Sequence, residues 1–458
     1  MDYTPSRQHE ALGEGFYDLV DAAKFPKHLL RYRNQSWAER VGLGGLSDEA
    51  WIAHFGKFDP LPGSFDRPLA LRYHGHQFRA YNPDLGDGRG FLFAQLHDLA
   101  DGRLLDLGTK GSGTTPWSRT ADGRLTLKGG VREVLATAML EALGVNTSKS
   151  FSLIETGEDL VRGDEPSPTR SAVLVRLSHS HIRIGTFQRF AYEQDGDSLR
   201  RLVDHSVALL LPEAAREDPA ERVVAFLEAV CVRVARMGAQ WMVAGFVHGV
   251  LNTDNINITG ESFDYGPWRF LPTYQPEFTA AYFDHSGLYA FGRQPDTLLW
   301  NLTRLAECLL PLAPQQALEG ALGVFVAEFR RALAAGVVRR LGLQSRGPEE
   351  DGAMSQAFWK FMLESQAGFE RVFFDCFAGM PRAPYSGTAF EAWQALTQPY
   401  APVDSARLSH CYFSRPGPCT MLIEDVEAIW APIAASDDWS LFHAKLDRIA
   451  EMQEALVF

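Results

Sequence analysis

The stretch HGVLNTDNINITGESFDYGP, His248 to Pro267, gathers several carboxylate and amide side chains within one short run, among them Asp254, Asn255 and Asp264. Oxygen donors of this kind suit a hard divalent cation, which prefers carboxylate and amide oxygen and completes its shell with phosphates or water. His248-Gly249 stands seven and six residues before Asn255, and Asp264 follows Asn255 by nine.

That frame matches the H-G-D-x-x-x-x-N loop of small-molecule kinases, where the Asp takes a proton and the Asn holds a metal. Phe263-Asp264-Tyr265-Gly266 then occupies the place of a kinase D-F-G. One position breaks the pattern. Val250 stands where the base belongs, and valine accepts no proton. The stretch therefore reads as a metal and phosphate site whose base, if it has one, lies elsewhere.

The text around it organises into two parts. From Leu69 to about Phe187, short apolar runs alternate with glycine-rich turns, and Phe91–Leu96, Leu104–Leu107 and Ala172–Leu177 read as strands. One helix interrupts them, GGVREVLATAMLEALG (129–144), closed by Gly144. Beyond about residue 195 long helical patterns take over, at Asp218–Ala244, Asp296–Leu310, Gln316–Leu341 and Ala353–Phe377. The fold class expected is α+β, with a sheet-rich N-terminal lobe over residues 1–190 and a helical C-terminal lobe over 191–458. No repeat or low-complexity linker separates them, so a shared interface is expected.

Composition narrows the partners. With 458 residues and 46% hydrophobic content the chain can bury more than one small core. A net charge of −13 argues against general nucleic-acid binding, while leaving room for a local basic pocket. Five cysteines form no C-x-x-C pair, and Cys231 and Cys308 fall in apolar helical patterns. The start, MDYTPSRQHEALGEGFYDLV, lacks a signal-peptide order. The apolar run Val223–Phe246 is broken by Glu228, Arg233 and Arg236, which reads as a buried helix, not a membrane span. A cytoplasmic protein is expected.

Several sites outside the opening stretch carry charge in unusual places. Lys110 ends a strand-like run and precedes the turn of LGTKGSGTTPWSR, where glycines present backbone N–H groups to oxyanions; the order is not that of a Walker A loop. Glu133 lies 23 residues later on the only clear helix of the first lobe. Its spacing puts it with Thr137 and Leu140, opposite Val131, Leu135 and Ala138, a face that would ordinarily be solvated. A strand lysine followed by a helix glutamate is also the kinase arrangement that positions a phosphate-binding lysine. Arg176 interrupts the apolar strand SAVLVRLS, and a buried guanidinium needs an anion, structural or bound. Arg183 follows seven residues on. Gly86-Asp87-Gly88-Arg89 and Asp122-Gly123 read as tight turns, and His74 with His76 as hydrogen-bonding residues.

Taken together, GHQF, LGDGR, KGSGTTPWSR, DGR, VRE, VRLSHSHIRIGTFQ, NTDN, DYGP and YAFGRQPDTLLWNLTRLAECL resemble the selenoprotein O family in collinear order over roughly residues 70 to 310. The resemblance implies a protein-kinase-like two-lobed fold, preceded by a family-specific N-terminal extension. It also implies transfer of AMP, not phosphate, from ATP to the hydroxyls of protein substrates, with ATP bound inverted so that its α-phosphate faces the acceptor. By position, Gly86, Gly88, Arg89 and Lys110 would contact the phosphates, and Asp122 and Gly123 would belong to a loop closing over ATP. Glu133 would position Lys110, and Arg176 with Arg183 would hold the phosphate chain. Asp254 would accept the proton, and Asn255 and Asp264 would bind magnesium, with manganese as the alternative metal. No nucleic acid or membrane partner is implied, and a monomer is expected.

Two departures from the family pattern stand out. Arg79 follows GHQF where the family usually has glycine. The sequence given ends EMQEALVF, where typical members carry a cysteine or selenocysteine near the end, so the resemblance does not carry redox control through a terminal thiol over to this sequence. The competing functions are a phosphotransferase of the same fold and an inert ATP-binding scaffold.

Overall fold

A computed structural model describes residues 2–163 and 165–456. Its first part is built on a nine-stranded sheet in which every pairing is antiparallel. The strands are β1 (Pro5–Ser6), β2 (Tyr17–Leu19), β3 (Leu29–Arg33), β4 (Leu69–Leu71), β7 (Leu92–His97), β8 (Leu104–Lys110), β9 (Leu125–Thr126), β10 (Lys149–Leu160) and β11 (Thr169–Ser178). They lie in the order β2-β4-β7-β8-β11-β10-β3, with β1 beside β7 and β9 beside β11. Two small hairpins stand apart, β5 (Gly75–Gln77) with β6 (Ala80–Asn82), and β12 (Phe246–His248) with β13 (Trp268–Phe270).

Period-two alternation sorts the side chains of the central strands. On β11, Val173, Val175 and Leu177 enter a core under the sheet that also holds Trp51, Phe55 and Phe151. Ala172 and Leu174 face the opposite way, into the core shared with the helix α3 (Leu127–Ala142). Continuing that alternation puts Arg176 on the α3 side. On β8, Leu105 and Leu107 join the lower core, which leaves Asp106, Gly108 and Lys110 on the α3 side. Register places Leu174 opposite Lys110 and Arg176 opposite Gly108, so the two cations are diagonal neighbours on one face.

The helices α1 (Gln35–Arg40) and α2 (Asp48–Phe55) cover the lower face, and Trp51 donates from Nε1 to Ser152 Oγ at 2.9 Å. On the other side, α3 starts where Thr126 accepts from the backbone N–H of Gly129 at 3.1 Å. After β11 the chain is mainly helical: α4 (Ile184–Tyr192), α5 (Gly196–Leu209), α6 (Pro219–Val243), α7 (Gln294–Leu309), α8 (Gln315–Leu322) and α9 (Val324–Arg340). There follow α10 (Pro348–Ser365), α11 (Phe369–Asp375), α12 (Thr388–Thr397), α13 (Ile423–Ser436) and α14 (Ser440–Leu456).

The long helix α6 begins at Pro219 under an Asp218 cap, whose Oδ1 accepts from Glu221 N at 2.9 Å. Its charged residues Glu228 and Arg236 are exposed while Cys231 is buried, which accounts for the interrupted apolar run. No helix among the described residues is long and apolar enough to cross a membrane.

Two expectations are corrected. Gln316–Leu341 is two helices, α8 and α9, meeting at Gly323. Ala353–Phe377 is also two: α10 ends at Gln366 with φ +49°, and α11 starts after Gly368. Helical periodicity runs through both breaks because the apolar face is kept. The C-terminal helices also return to the first part of the chain. Asp437 pairs with Arg31 and Arg170 at 3.0 and 2.6 Å, and Phe442 packs in the core that holds α3.

Candidate active site

The opening stretch is a closed loop. Hairpin β12–β13 pairs His248 with Trp268, and Gly249 N donates to Pro267 O at 2.8 Å just inside it. Three further hydrogen bonds fasten the loop to the sheet side. Ile184 N donates to Ile256 O and Ile258 N to Ile182 O, at 3.0 and 3.1 Å, and Ser148 N donates to Ser262 O at 2.8 Å. His248 sits inside, buried, with Nδ1 facing Val250 N at 3.4 Å and Nε2 facing Phe263 O at 3.2 Å. Burial holds its imidazole below the usual pKa, and one neutral tautomer satisfies both contacts. His248 thus links the two ends of the loop just before Asp264.

Asp264 has φ +62°, a left-handed conformation that costs an L-residue about 1–2 kcal/mol. The surroundings fix it there. Its Oδ1 accepts from Lys110 Nζ at 3.0 Å and Arg176 Nη1 at 3.1 Å. Behind them Glu133 takes Lys110 Nζ on Oε2 at 2.6 Å and Arg176 Nη1 on Oε1 at 3.3 Å. Two cations and two carboxylates therefore form one closed set. Lys110, Glu133 and Arg176 are almost wholly buried, while the Asp264 side chain keeps 26% exposure toward the cleft. Despite burial, the Lys110, Arg176 and Arg183 charges hold the Asp264 carboxyl well below its usual range.

The cleft in front measures about 360 Å³, within the range of small-molecule sites. Its walls carry five basic side chains (Arg89, Lys110, Arg119, Arg176, Arg183) against two carboxylates, Asp87 and Asp264. In a chain of charge −13 this excess marks a site for a polyanion. Arg176 Nε is buried with no hydrogen-bond partner, a donor left for a ligand oxygen. Arg183 lies 4.2 Å from the Tyr73 ring centre and 5.2 Å from that of Phe263, with Asp87 at 3.5 Å. Gly86 and Gly88 line the cleft too. A side chain on Gly86 would collide with the Trp117 ring, its Cβ lying 2.4 Å from the nearest ring atom, so glycine lets the two turns close on each other.

Asp254 lies on a 3-10 turn, Thr253–Asn255, beside the cleft. It is buried, and its Oδ1 has no hydrogen-bond partner. Gly75 covers it so closely that a Cβ there would lie 2.9 Å from Oδ1. Burial pushes the carboxyl up to about 7, opposed by Arg183 and reinforced by Asp264. Asn255 donates from Nδ2 to Val250 O at 3.0 Å, which turns its amide oxygen away from that carbonyl. Asn255 and Asp264 supply hard oxygen donors only, a set that fits magnesium when phosphates and water complete the shell. No group of three or more His, Cys, Asp or Glu side chains suited to a metal occurs among the described residues, so a site built from protein ligands alone is not what this cleft offers.

The remaining motif residues fall elsewhere. Asp122 points into an ion pair with Arg162 at 2.8 Å, and Gly123 O accepts from Gly113 N at 3.2 Å, bracing the KGSG turn from outside the cleft. His74 and His76 make hydrogen bonds, to Tyr81 OH at 2.8 Å and Gln188 Nε2 at 2.7 Å. Glu133 departs from the solvated face that helical spacing gave it. It is fully buried, because α3 is enclosed by the sheet, by α14 and by the ion cluster. Asp87, Tyr73, Trp117 and Arg119 were not singled out by sequence reasoning; the GDGR turn hid Asp87, which accepts from Leu71 N at 3.1 Å and faces Arg183 at 3.5 Å.

Replacing Glu133 by alanine leaves two buried cations sharing one carboxylate. Removing one partner of a buried pair costs about 3–5 kcal/mol. A matching fall in denaturant-derived stability is expected, with a smaller fall for Glu133→Gln, which keeps the volume and one acceptor oxygen.

A family model described as protein adenylyltransferase SelO matches residues 1–450. The protein nucleotidyltransferase YdiU of Gloeobacter violaceus is 44% identical, over 98% of this chain and 95% of its own length. That of Synechocystis sp. is 42% identical, over 98% of both chains. A third, from Rhodopseudomonas palustris (strain HaA2), is 45% identical over 80% of this chain and 74% of its own. The similarity thus extends well beyond the motif region of residues 70 to 310, into the C-terminal helices.

Proposed function

The chain belongs to the SelO family of protein adenylyltransferases, and on that premise we propose that it transfers AMP from ATP to Ser, Thr or Tyr hydroxyls of proteins. The sheet part and the helical part are read as the two lobes of a kinase-like fold, divided near residue 190, with ATP in the cleft of Lys110 and Arg176. The nucleotide is read as inverted, its α-phosphate toward Asp254. A monomer in the cytoplasm is the expected working form.

One observation carries this reading. Asp254 is a buried carboxylate with a free Oδ1 and a pKa near 7, four residues beyond the valine that replaces the usual base. An inert scaffold has no use for such a group, whose ionised form is costly to bury. In the proposed step the acceptor hydroxyl oxygen bonds to the α-phosphorus as its proton passes to Asp254. The bond from the α-phosphorus to the bridging oxygen breaks, and diphosphate leaves. Lys110, Arg176 and Arg183 stabilise charge developing on the phosphates, and Glu133 keeps Lys110 and Arg176 in place. Magnesium held by Asn255 and Asp264, or manganese in its stead, would neutralise part of the triphosphate charge.

Product analysis tests the reaction. With an acceptor protein present, release of diphosphate matched to acceptor modification supports it; ADP in place of diphosphate would favour a phosphotransferase. The pH profile tests the role of Asp254. Since the ionised form accepts the proton, kcat/KM should rise with pH through an apparent pKa near 7. This acid limb should vanish in the residual activity of Asp254→Asn.

A further inference from the structure

Beside Asp254 lies a feature that nucleotide binding does not use. The tip of hairpin β5–β6 is Phe78-Arg79, and both residues have positive φ, +49° and +64°. A two-residue turn of this kind is normally built from Asn-Gly or similar pairs, because L side chains pay for the left-handed region. Here two bulky side chains occupy it, and strain of this sort is retained where the surroundings or a function require it.

The surroundings tie the tip to the catalytic turn. His76 N donates to Thr253 Oγ1 at 2.7 Å, and Phe78 N to Asn252 Oδ1 at 3.1 Å. Tyr289 OH bridges to Asn252 Oδ1 at 2.7 Å and lies 3.2 Å from Phe78 N. The Phe78 ring nonetheless faces outward, 39% exposed, against Phe283 at 5.8 Å between centroids. Phe283 in turn meets Tyr282 at 5.2 Å, and these two are 43% and 80% exposed. Their loop is not slack. Asp284 accepts from Leu288 N at 2.9 Å and Tyr289 N at 2.8 Å, so the aromatic pair is held in place.

Three exposed aromatic side chains in mutual contact, continuous with the residues that carry Asp254, form a surface of the kind protein interfaces favour. An exposed cation completes it. Arg79 lies exposed at the hairpin tip, 5.5 Å from the Trp300 ring centre. Basic charge beside an aromatic shelf suits an acidic segment.

We propose that Phe78, Tyr282 and Phe283 dock the acceptor polypeptide, selecting a segment with a bulky apolar side chain and a carboxylate near the modified hydroxyl. The inference rests on the AMP-transfer reading and adds the determinant of acceptor choice.

The test uses a positional-scanning peptide library with fixed Ser, Thr or Tyr acceptors, full-length chain and ATP labelled in the α-phosphate. Enrichment of bulky apolar and acidic residues beside the acceptor is expected. For the selected peptide, Tyr282→Ser and Phe78→Ala should each raise the acceptor KM about tenfold or more, with the KM for ATP unchanged. Tyr282 is so exposed that its replacement does not endanger folding. Labelling without flanking preference, or an unchanged acceptor KM in both variants, would overturn the inference alone. A wild-type chain that moves no AMP to any acceptor would overturn the transferase reading together with it. Variants that alter self-association but not the acceptor KM would assign the patch to a second copy of the chain and overturn the proposal.

Discussion

Asp254→Ala is expected to lower AMP transfer by about 10²–10⁴-fold, the usual worth of a positioned general base, while ATP still raises the melting temperature. The separation follows from the geometry. Asp254 holds no ion-pair partner within the cluster of Lys110, Arg176, Glu133 and Asp264, and its Oδ1 makes no hydrogen bond. Removing it leaves the cations that would meet the phosphates where they are.

The same residue has a stability signature with a definite sign. Its folded pKa, about 7, lies above the ordinary 3.8, so the folded state holds the proton more tightly than the unfolded chain. The stabilisation this brings is complete below the unfolded pKa and is lost as pH rises through the folded one. Across the window from about pH 4 to pH 7 the slope is about 1.4 kcal/mol per pH unit. Asp254→Asn removes this dependence. Between pH 5 and pH 8 the wild-type chain should therefore lose about 2–3 kcal/mol relative to the variant, as read from chemical denaturation without nucleotide. Parallel curves for the two proteins would show that the carboxylate is ionised in the fold from the start.

Asp264→Ala is expected to behave differently, abolishing metal-dependent nucleotide binding with a loss of affinity above about 100-fold. Asp264 is the outward anchor of Lys110 and Arg176 and, on the proposed function, a cation ligand as well. Its ionised state is secured against burial by Lys110, Arg176 and Arg183, so metal-dependent binding by the wild-type chain should not weaken through protonation of this carboxylate as pH falls toward about 5. Isothermal titration with ATP and magnesium separates the two aspartates. Equal loss of binding in Asp254→Ala and Asp264→Ala would contradict the roles assigned to them.

Much of this was legible in the sequence, for a physical reason that differs from site to site. Arg176 announced itself because a guanidinium in an apolar strand needs an anion, and period two then put it on the face of Lys110. Asp264 was visible through its place in one loop, which a hairpin closes, and Asn255 stands in the same loop with its amide on Val250 O. Glu133 could be paired with Lys110 only by analogy. Helical spacing placed it on a solvated face, because periodicity does not report that sheet, C-terminal helix and ion cluster enclose α3 on all sides. Strand β10 escaped notice for a related reason. Its register shifts at Ser150/Ser152 and Glu155/Asp159 break the alternation by which strands are read. Breaks at Gly323 and at Gln366–Gly368 were invisible because the apolar face continues across them. Asp122 matched its motif but turns to Arg162, a partner 40 residues away that spacing could not supply.

The central claim is that this cleft delivers the α-phosphate, not the γ-phosphate, to a protein hydroxyl. Parallel incubations with ATP labelled at the α- or the γ-phosphate, with magnesium and an acceptor protein, address it directly. Label is expected on the acceptor from the α position only, reduced at least about 100-fold with Asp254→Ala. Label arriving from the γ position alone would contradict it.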